Sequence, residues 1–270
     1  QAVSIGLQAG FTTQGNYAVA IGKFSANSSQ GTYAVAVGPN SGFENQSANA
    51  VAIGSTAGAS SQGINSVAIG VGAAYNTQGN SAVAVGNSAG YLLQGLYSVS
   101  IGDNAGFSFQ GANSVAVGRL SGNSSQGNAA VAVGVEAGKT SQGNGAVAVG
   151  NVAGSVSQGL NAVAVGREAG NTSQGVNSVA VGFGAGFSSQ GTEAVAVGAL
   201  AGSSSQANNS IIINATGSAL NQTTANTFVV KPVRAVTSVT FAAPTSGTVP
   251  AGFSPMYYNP TTGEIIVITT

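Results

Sequence analysis

Residues 115–134 read Val-Ala-Val-Gly-Arg-Leu-Ser-Gly-Asn-Ser-Ser-Gln-Gly-Asn-Ala-Ala-Val-Ala-Val-Gly, so the motif ending at Gly118 returns at Gly134, sixteen residues on. The same step carries that glycine from Gly6 through Gly22, Gly38 and Gly54 to Gly198, thirteen copies without an insertion. A degenerate fourteenth copy follows as Ser210-Ile211-Ile212-Ile213-Asn214. Val stands three before the glycine in every copy, Ala or Ser three after it and Gln eight after it. Sixteen residues cannot hold two helices and their turns. β-Branched residues alternate with small ones at period two, and glycines punctuate the strand at fixed offsets. A period free of insertions stacks like residues on like. The chain is therefore expected to be all-β, a parallel β-solenoid (β-roll) with 16-residue coils, roughly 65 Å long at ~4.8 Å per coil.

The alternation assigns faces. Val3 and Ile5 share one face of their strand, Ala2 and Ser4 the other, and neither face bears a long polar side chain in any copy. The expectation is that Val and Ile fill the core of the coil and that the Ala/Ser face packs closely against another chain, most economically in a threefold bundle. Ile212 replaces the small residue in the last coil, so close packing should stop or widen there. The column Gln14, Gln30, Gln46, Gln62, Gln78, Gln94, Gln110, Gln126, Gln142, Gln158, Gln174, Gln190 and Gln206 reads as a stacked amide ladder that holds the register.

Composition excludes several function classes. Charged residues are 4% of the 270, against a usual ~25%, and the formal net charge is zero. No Cys means no disulfide or thiolate metal site, and no His removes the Ser-His and Cys-His pairs and the commonest metal ligand. No cofactor is expected. No basic patch exists to neutralise phosphates, so nucleic acid is not an expected partner. At 43% apolar residues disorder is disfavoured, and no apolar run approaches the ~18–20 residues of a membrane helix. The chain opens at Gln1 in mid-pattern, without a signal peptide, and reads as a processed or partial form of a longer one.

Periodicity ends near Thr216, giving a solenoid over 1–216 and a C-terminal segment over 217–270. Thr227-Phe228-Val229-Val230 and Glu264-Ile265-Ile266-Val267-Ile268 read as strands, and Asn259-Pro260-Thr261-Thr262-Gly263 as a turn. The segment is expected to be a small β cap, a trimerisation element or a connector, since a solenoid end needs protection from edge-to-edge growth.

The Ala-Val-Ala-Ile-Gly stretches at Ala18–Gly22 and Ala50–Gly54 resemble the head repeats of trimeric autotransporter adhesins, left-handed parallel β-rolls that trimerise and bind host surfaces. That family's step is shorter, and its stalk, neck and membrane anchor have no counterpart in this sequence. The longer form, Asn-Ala-Val-Ala-Val-Gly-x-x-Ala-Gly-x-x-Ser-Gln-Gly, more closely resembles repeats in fibre proteins of large DNA viruses and some bacteriophages. Asn209 to Gly217 and Tyr257 to Glu264 are similar to segments that close such arrays. The resemblance implies a left-handed coil, a homotrimer and a place on a virion or cell surface. It implies no particular ligand, because one scaffold carries many specificities.

Recognition must use the variable positions. An aromatic stands five after the repeat glycine at Phe11, Phe43, Tyr75, Tyr91, Phe107 and Phe187. Such a row can stack on sugar rings, or it can pack over turns and in grooves between chains. The apolar cluster Tyr91, Leu92, Leu93, Leu96, Tyr97, Phe107 and Phe109 reads as a local thickening of the core, with an attachment surface as the alternative. Asp103 and Arg119, one coil apart in a column, should form a surface ion pair. Glu136 and Glu168 lie two coils apart, a separation of about 9–10 Å that overlaps the carboxylate spacing of inverting glycosidases. Val152 lies between them and Arg167 beside them, so catalysis is not expected. One Asp in the whole chain excludes calcium-binding nonapeptide repeats, and the mixed Ser/Thr columns disfavour ice binding. Asn27, Asn123 and Asn171 open glycosylation triplets in one column.

These readings favour a non-enzymatic, homotrimeric structural fibre or adhesin segment, extracellular or on a virion surface. It would support attachment to a host-surface glycan or protein without membrane insertion. A self-assembling extracellular filament subunit is the alternative, and a polysaccharide-cleaving tailspike the third reading.

Overall fold

The computed structural model describes residues 1–233, 256–258, 261 and 264–267. Each full coil holds two three-residue strands, for example Val115–Val117 and Ser124–Gln126. Strands of the first kind pair from coil to coil into a parallel sheet, here the valine sheet, in a register that steps by one repeat: Val115 faces Val131, Ala116 faces Ala132 and Val117 faces Val133. Strands of the second kind form a parallel eleven-stranded sheet from Ser28–Gln30 to Ser188–Gln190, the glutamine sheet. The described chain is thus an all-β parallel β-solenoid of about fourteen turns, without a helix.

Hydrogen bonding between coils continues through the corners. Leu120 N donates to Asp103 O one coil back and Gly122 N to Ala137 O one coil on, each at 2.9 Å. Left-handed residues stand at two corners of this coil, Leu120 (φ 58°) and Ala129 (φ 54°), and in the middle of its glutamine strand, Ser125 (φ 58°). Asn tolerates that conformation, and Asn49, Asn65, Asn113, Asn161, Asn177 and Asn209 occupy the same column as Ala129. The repeat glycine serves a different need. Gly86 has φ 134°, and a Cβ on it would lie 2.6 Å from Gly102 O in the next coil.

The structure reverses the expected faces. Ala20, Ala36, Ala52 and their equivalents up to Ala196 are fully buried, and the Val and Ile on either side of them point outward, with Ile21, Ile53 and Ile101 exposed. The physical reason is the thinness of the coil. Glutamine side chains reach in from the opposite sheet, and a Cβ on Gly170 would lie 3.1 Å from the Ala164 methyl. A β-branched side chain has no room in that gap, so the small face turns inward. Alanines and serines before the valine strand and at the first corner, such as Ala130 and Ala137, complete the core.

The array changes at its C-terminal end. Ile212 is fully buried and clusters with Leu220 and Val229, so the widening expected at Ile212 occurs inside the coil. Asn214 takes the repeat-glycine position, and its buried amide donates at 2.7 Å to both Ala199 O and Ser218 O. The valine sheet continues beyond residue 216: Phe228–Lys231 pairs in parallel with Ile211–Asn214, and Glu264–Val267 then joins antiparallel to both Phe228–Lys231 and Met256–Tyr258. Of the turn read at 259–263, only Thr261 lies within the described residues; its carbonyl accepts a 2.8 Å bond from Lys231 Nζ.

Two substitutions test this account. Gly86→Ala should destabilise the chain by about 3 kcal/mol, because the new methyl is both strained and blocked by backbone. Val152 is β-branched yet left-handed (φ 60°) in a column that also holds Asn40 and Asn104. Val152→Asn should therefore raise stability by ~1 kcal/mol. Urea unfolding midpoints of both variants would check the opposite signs.

Candidate functional site

The glutamine column lies inside the coil. From Gln30 to Gln206 every member is buried, each amide donates to the valine-strand carbonyl across the coil, and Gln30, Gln46, Gln78, Gln126, Gln158 and Gln190 donate in three directions. Gln126 Nε2 donates to Val115 O across the coil (2.8 Å), to Ala130 O (3.4 Å) and to Gln142 Oε1 in the next coil (3.1 Å). Amide-to-amide bonds of this kind link Gln30, Gln46 and Gln62, then Gln78 and Gln94, then Gln110, Gln126 and Gln142, then Gln158, Gln174, Gln190 and Gln206. Between Gln94 and Gln110 a hydroxyl is inserted: Gln94 Nε2 donates to Ser100 Oγ (3.4 Å), which donates to Gln110 Oε1 (2.6 Å). Ser4 makes the same bond to Gln14 Oε1 at 2.8 Å. Gln30, Gln78 and Gln158 begin runs in coils where that position is Ala, and their Oε1 atoms are buried without a partner.

The aromatic column lies at the edge of the glutamine sheet, on the surface. Successive coils bring Tyr75, Tyr91 and Phe107 into one stack, with ring centroids 4.9 Å and 5.0 Å apart and planes within 8° and 2° of parallel. Phe43 is separated from this stack by Ala59, and Phe11 and Phe187 have Asn and Ser as column neighbours. Phe11 is 62% exposed. The column is thus one three-ring stack with outliers. A second stack, Tyr17 on Tyr33 at 5.2 Å, occupies another corner. It was legible from the period, since both residues hold the same position in adjacent coils.

The apolar cluster around coil six is a surface feature and does not thicken the core. Leu93, Leu96, Tyr97 and Phe109 are all exposed. Leu93, Tyr97 and Phe109 are left-handed corner or strand residues whose side chains project outward. Asn27, Asn123 and Asn171 share the aromatic column and have a structural use there: each amide donates to the carbonyl of a left-handed residue one coil back, Gln8, Asn104 and Val152 at 3.3, 3.0 and 3.1 Å.

The charges pair differently from the expectation. Arg119 reaches Glu136 (3.4 Å), not Asp103, and Lys139 joins the same carboxylate at 3.2 Å. Asp103 instead accepts a 2.9 Å bond from Asn87 Nδ2. That bond, followed by one with Asn104, holds its carboxyl below the usual carboxylate range. Glu168 pairs with Arg167 at 3.1 Å, and Arg167 also lies 4.3 Å from the centre of the Phe183 ring. Both acids of the glycosidase-like pair are thus tied to cations. Among the described residues no three His, Cys, Asp or Glu side chains gather as a metal site, and no helix is long and apolar enough to cross a membrane.

No family model, no curated protein and no solved structure matches the chain.

The inserted hydroxyl of Ser100 generates a prediction. Ala148→Ser should place a donor against the unpartnered Gln158 Oε1 and raise stability by ~1 kcal/mol. Ala164→Ser faces Gln174 Oε1, already bonded by Gln158, and should give no gain. Thermal unfolding of the two variants side by side measures the difference.

Proposed function

We propose that this chain is a segment of a non-enzymatic, homotrimeric fibre, extracellular or on a virion surface, that supports attachment to a host surface. The observation that carries the reading is the outward face of the valine sheet. In every coil both outward residues are Val or Ile, and no charge interrupts them from Val3 to Ile213. Three residues wide and about fourteen coils long, the stripe measures about 10 Å by roughly 60 Å, at the upper end of the ~300–600 Å² that the largest apolar patch of a typical monomer covers, and it is continuous along the chain. Because every coil presents Val or Ile at both positions, copies set side by side in register present like surfaces along their whole length. Three copies around one axis bury all three stripes together and leave the glutamine sheets and the aromatic column outside. The sequence resemblance to trimeric fibres and adhesin heads supports the number three. The antiparallel strand at Glu264–Val267 supports a C-terminal cap, which disfavours the end-to-end filament. The ion pairs at Glu136 and Glu168 disfavour the tailspike reading.

Light scattering across a dilution series should give a constant mass near three times 25.9 kDa. Val117→Lys with Val149→Lys places two charges on the stripe and should release monomers that keep their β circular dichroism. A wild-type monomer would refute the assembly, and a constant mass of two chains would replace the trimer with a dimer.

A further inference from the structure

The aromatic column contains a gap one ring deep. Tyr75, Tyr91 and Phe107 stack at 4.9 and 5.0 Å, and Phe43 lies two coils below Tyr75 with only the Ala59 methyl between them. At one coil per ~4.8 Å, the place of the missing ring is open to a guest that contacts Phe43 on one side and Tyr75 on the other. A cavity of about 330 Å³ sits there, lined by Phe43, Glu44, Ala59, Ser60, Tyr75 and Asn76. That is near the lower end of the ~300–1,000 Å³ range of small-molecule sites.

We propose that this gap binds a single pyranose ring of a glycan, either neutral or bearing an amino group. The inference deepens the attachment reading by naming the class of ligand. A pyranose offers what the lining requires: C–H faces for the two rings, and equatorial hydroxyls for a carboxylate, a hydroxyl and an amide placed side by side on consecutive coils. A purely aromatic guest would fill the gap and leave those three polar groups unused. Glu44 sets the charge preference. Its carboxylate accepts from hydroxyl or ammonium groups, and no cation lines the cavity, so sialic, uronic and sulfated sugars are repelled. Elsewhere in the column two rings flank a smaller residue only at Asn27, between Phe11 and Phe43, and there the amide side chain takes the place and donates to Gln8 O at 3.3 Å. Ser155 also sits between larger neighbours, but those are Lys139 and Asn171.

Saturation-transfer NMR on the full chain, with the methyl glycosides of glucose, galactose, mannose, N-acetylglucosamine and glucosamine, tests the site. At least one should bind with Kd on the order of 1 mM, and N-acetylneuraminic acid should not. Ala59→Phe completes the ring stack and should abolish the signal while the circular dichroism spectrum is retained. Ser155→Phe adds a ring in the same column elsewhere and should leave binding intact. Glu44→Gln should weaken the amino sugar about tenfold relative to the neutral ones. No transfer to any glycoside, or equal transfer to the Ala59→Phe chain, overturns the proposal. The native mass is measured separately, so a trimer that binds no sugar removes this site alone, and a sugar-binding monomer removes the trimer alone.

Discussion

Two three-residue strands set face to face enclose a space too thin for a branched side chain. The chain fills it with alanine methyls from one sheet and glutamine amides from the other. Most other features follow from that filling. The amide is long enough to cross the gap, and its polar atoms find the carbonyl of the valine strand, the carbonyl at the next corner and the neighbouring amide. A buried glutamine thereby closes the coil on itself and fixes the next coil above it. An apolar residue of the same length would fill the space but leave those carbonyls unpaired. Only where Ile212, Leu220 and Val229 take over does the interior become conventionally hydrophobic, and there the glutamine ladder has ended.

The uninterrupted register also explains the scarcity of charge. Every residue has a neighbour of the same position one coil away, so a column repeats its chemistry about every 4.8 Å. Amides and rings gain from that arrangement, as the glutamine ladder and the Tyr75–Tyr91–Phe107 stack show. Charges lose, since like charges set directly opposite across a ladder are destabilising. Of those that remain, Arg119 and Lys139 sit on Glu136 and Arg167 on Glu168, Asp103 accepts from Asn87, Lys23 lies over the Phe24 ring, and Glu44 and Glu193 have uncharged column neighbours.

The period made the fold legible, down to which residues face one another across the sheets. It did not say which face turns inward. Alternation in Val-Ala-Val separates two sets of side chains, and the habit of placing the larger apolar set in the core gave the wrong choice. The deciding signal was present elsewhere: small residues before the strand and three after the repeat glycine, with a glutamine opposite, describe an interior with room for little else. The left-handed corners were legible in part, through the asparagines in the column of Asn49 and Asn65, but Tyr, Ala and Glu occupy that conformation too, because coil-to-coil hydrogen bonds impose it. The ring stack could be read from column positions. The gap at Ala59 could not be weighed until the coil gave it walls and a floor.

Turning the faces over changes what the two surfaces are for. An exposed alanine face could have been covered by anything that approaches closely. An exposed stripe with Val or Ile at both positions of every coil matches a surface of the same spacing, which in the proposed trimer is a second copy of the chain. In that proposal the invariant columns serve the interior and the interface, which leaves the corners and the outer rim of the glutamine sheet free to vary. That is where the aromatic, charged and glycosylation-triplet residues are found. With no insertion anywhere in the repeats, diversity on this surface arises only by substitution within columns. Any site it carries must therefore be assembled from one or two residues per coil, spaced by the rise of the solenoid.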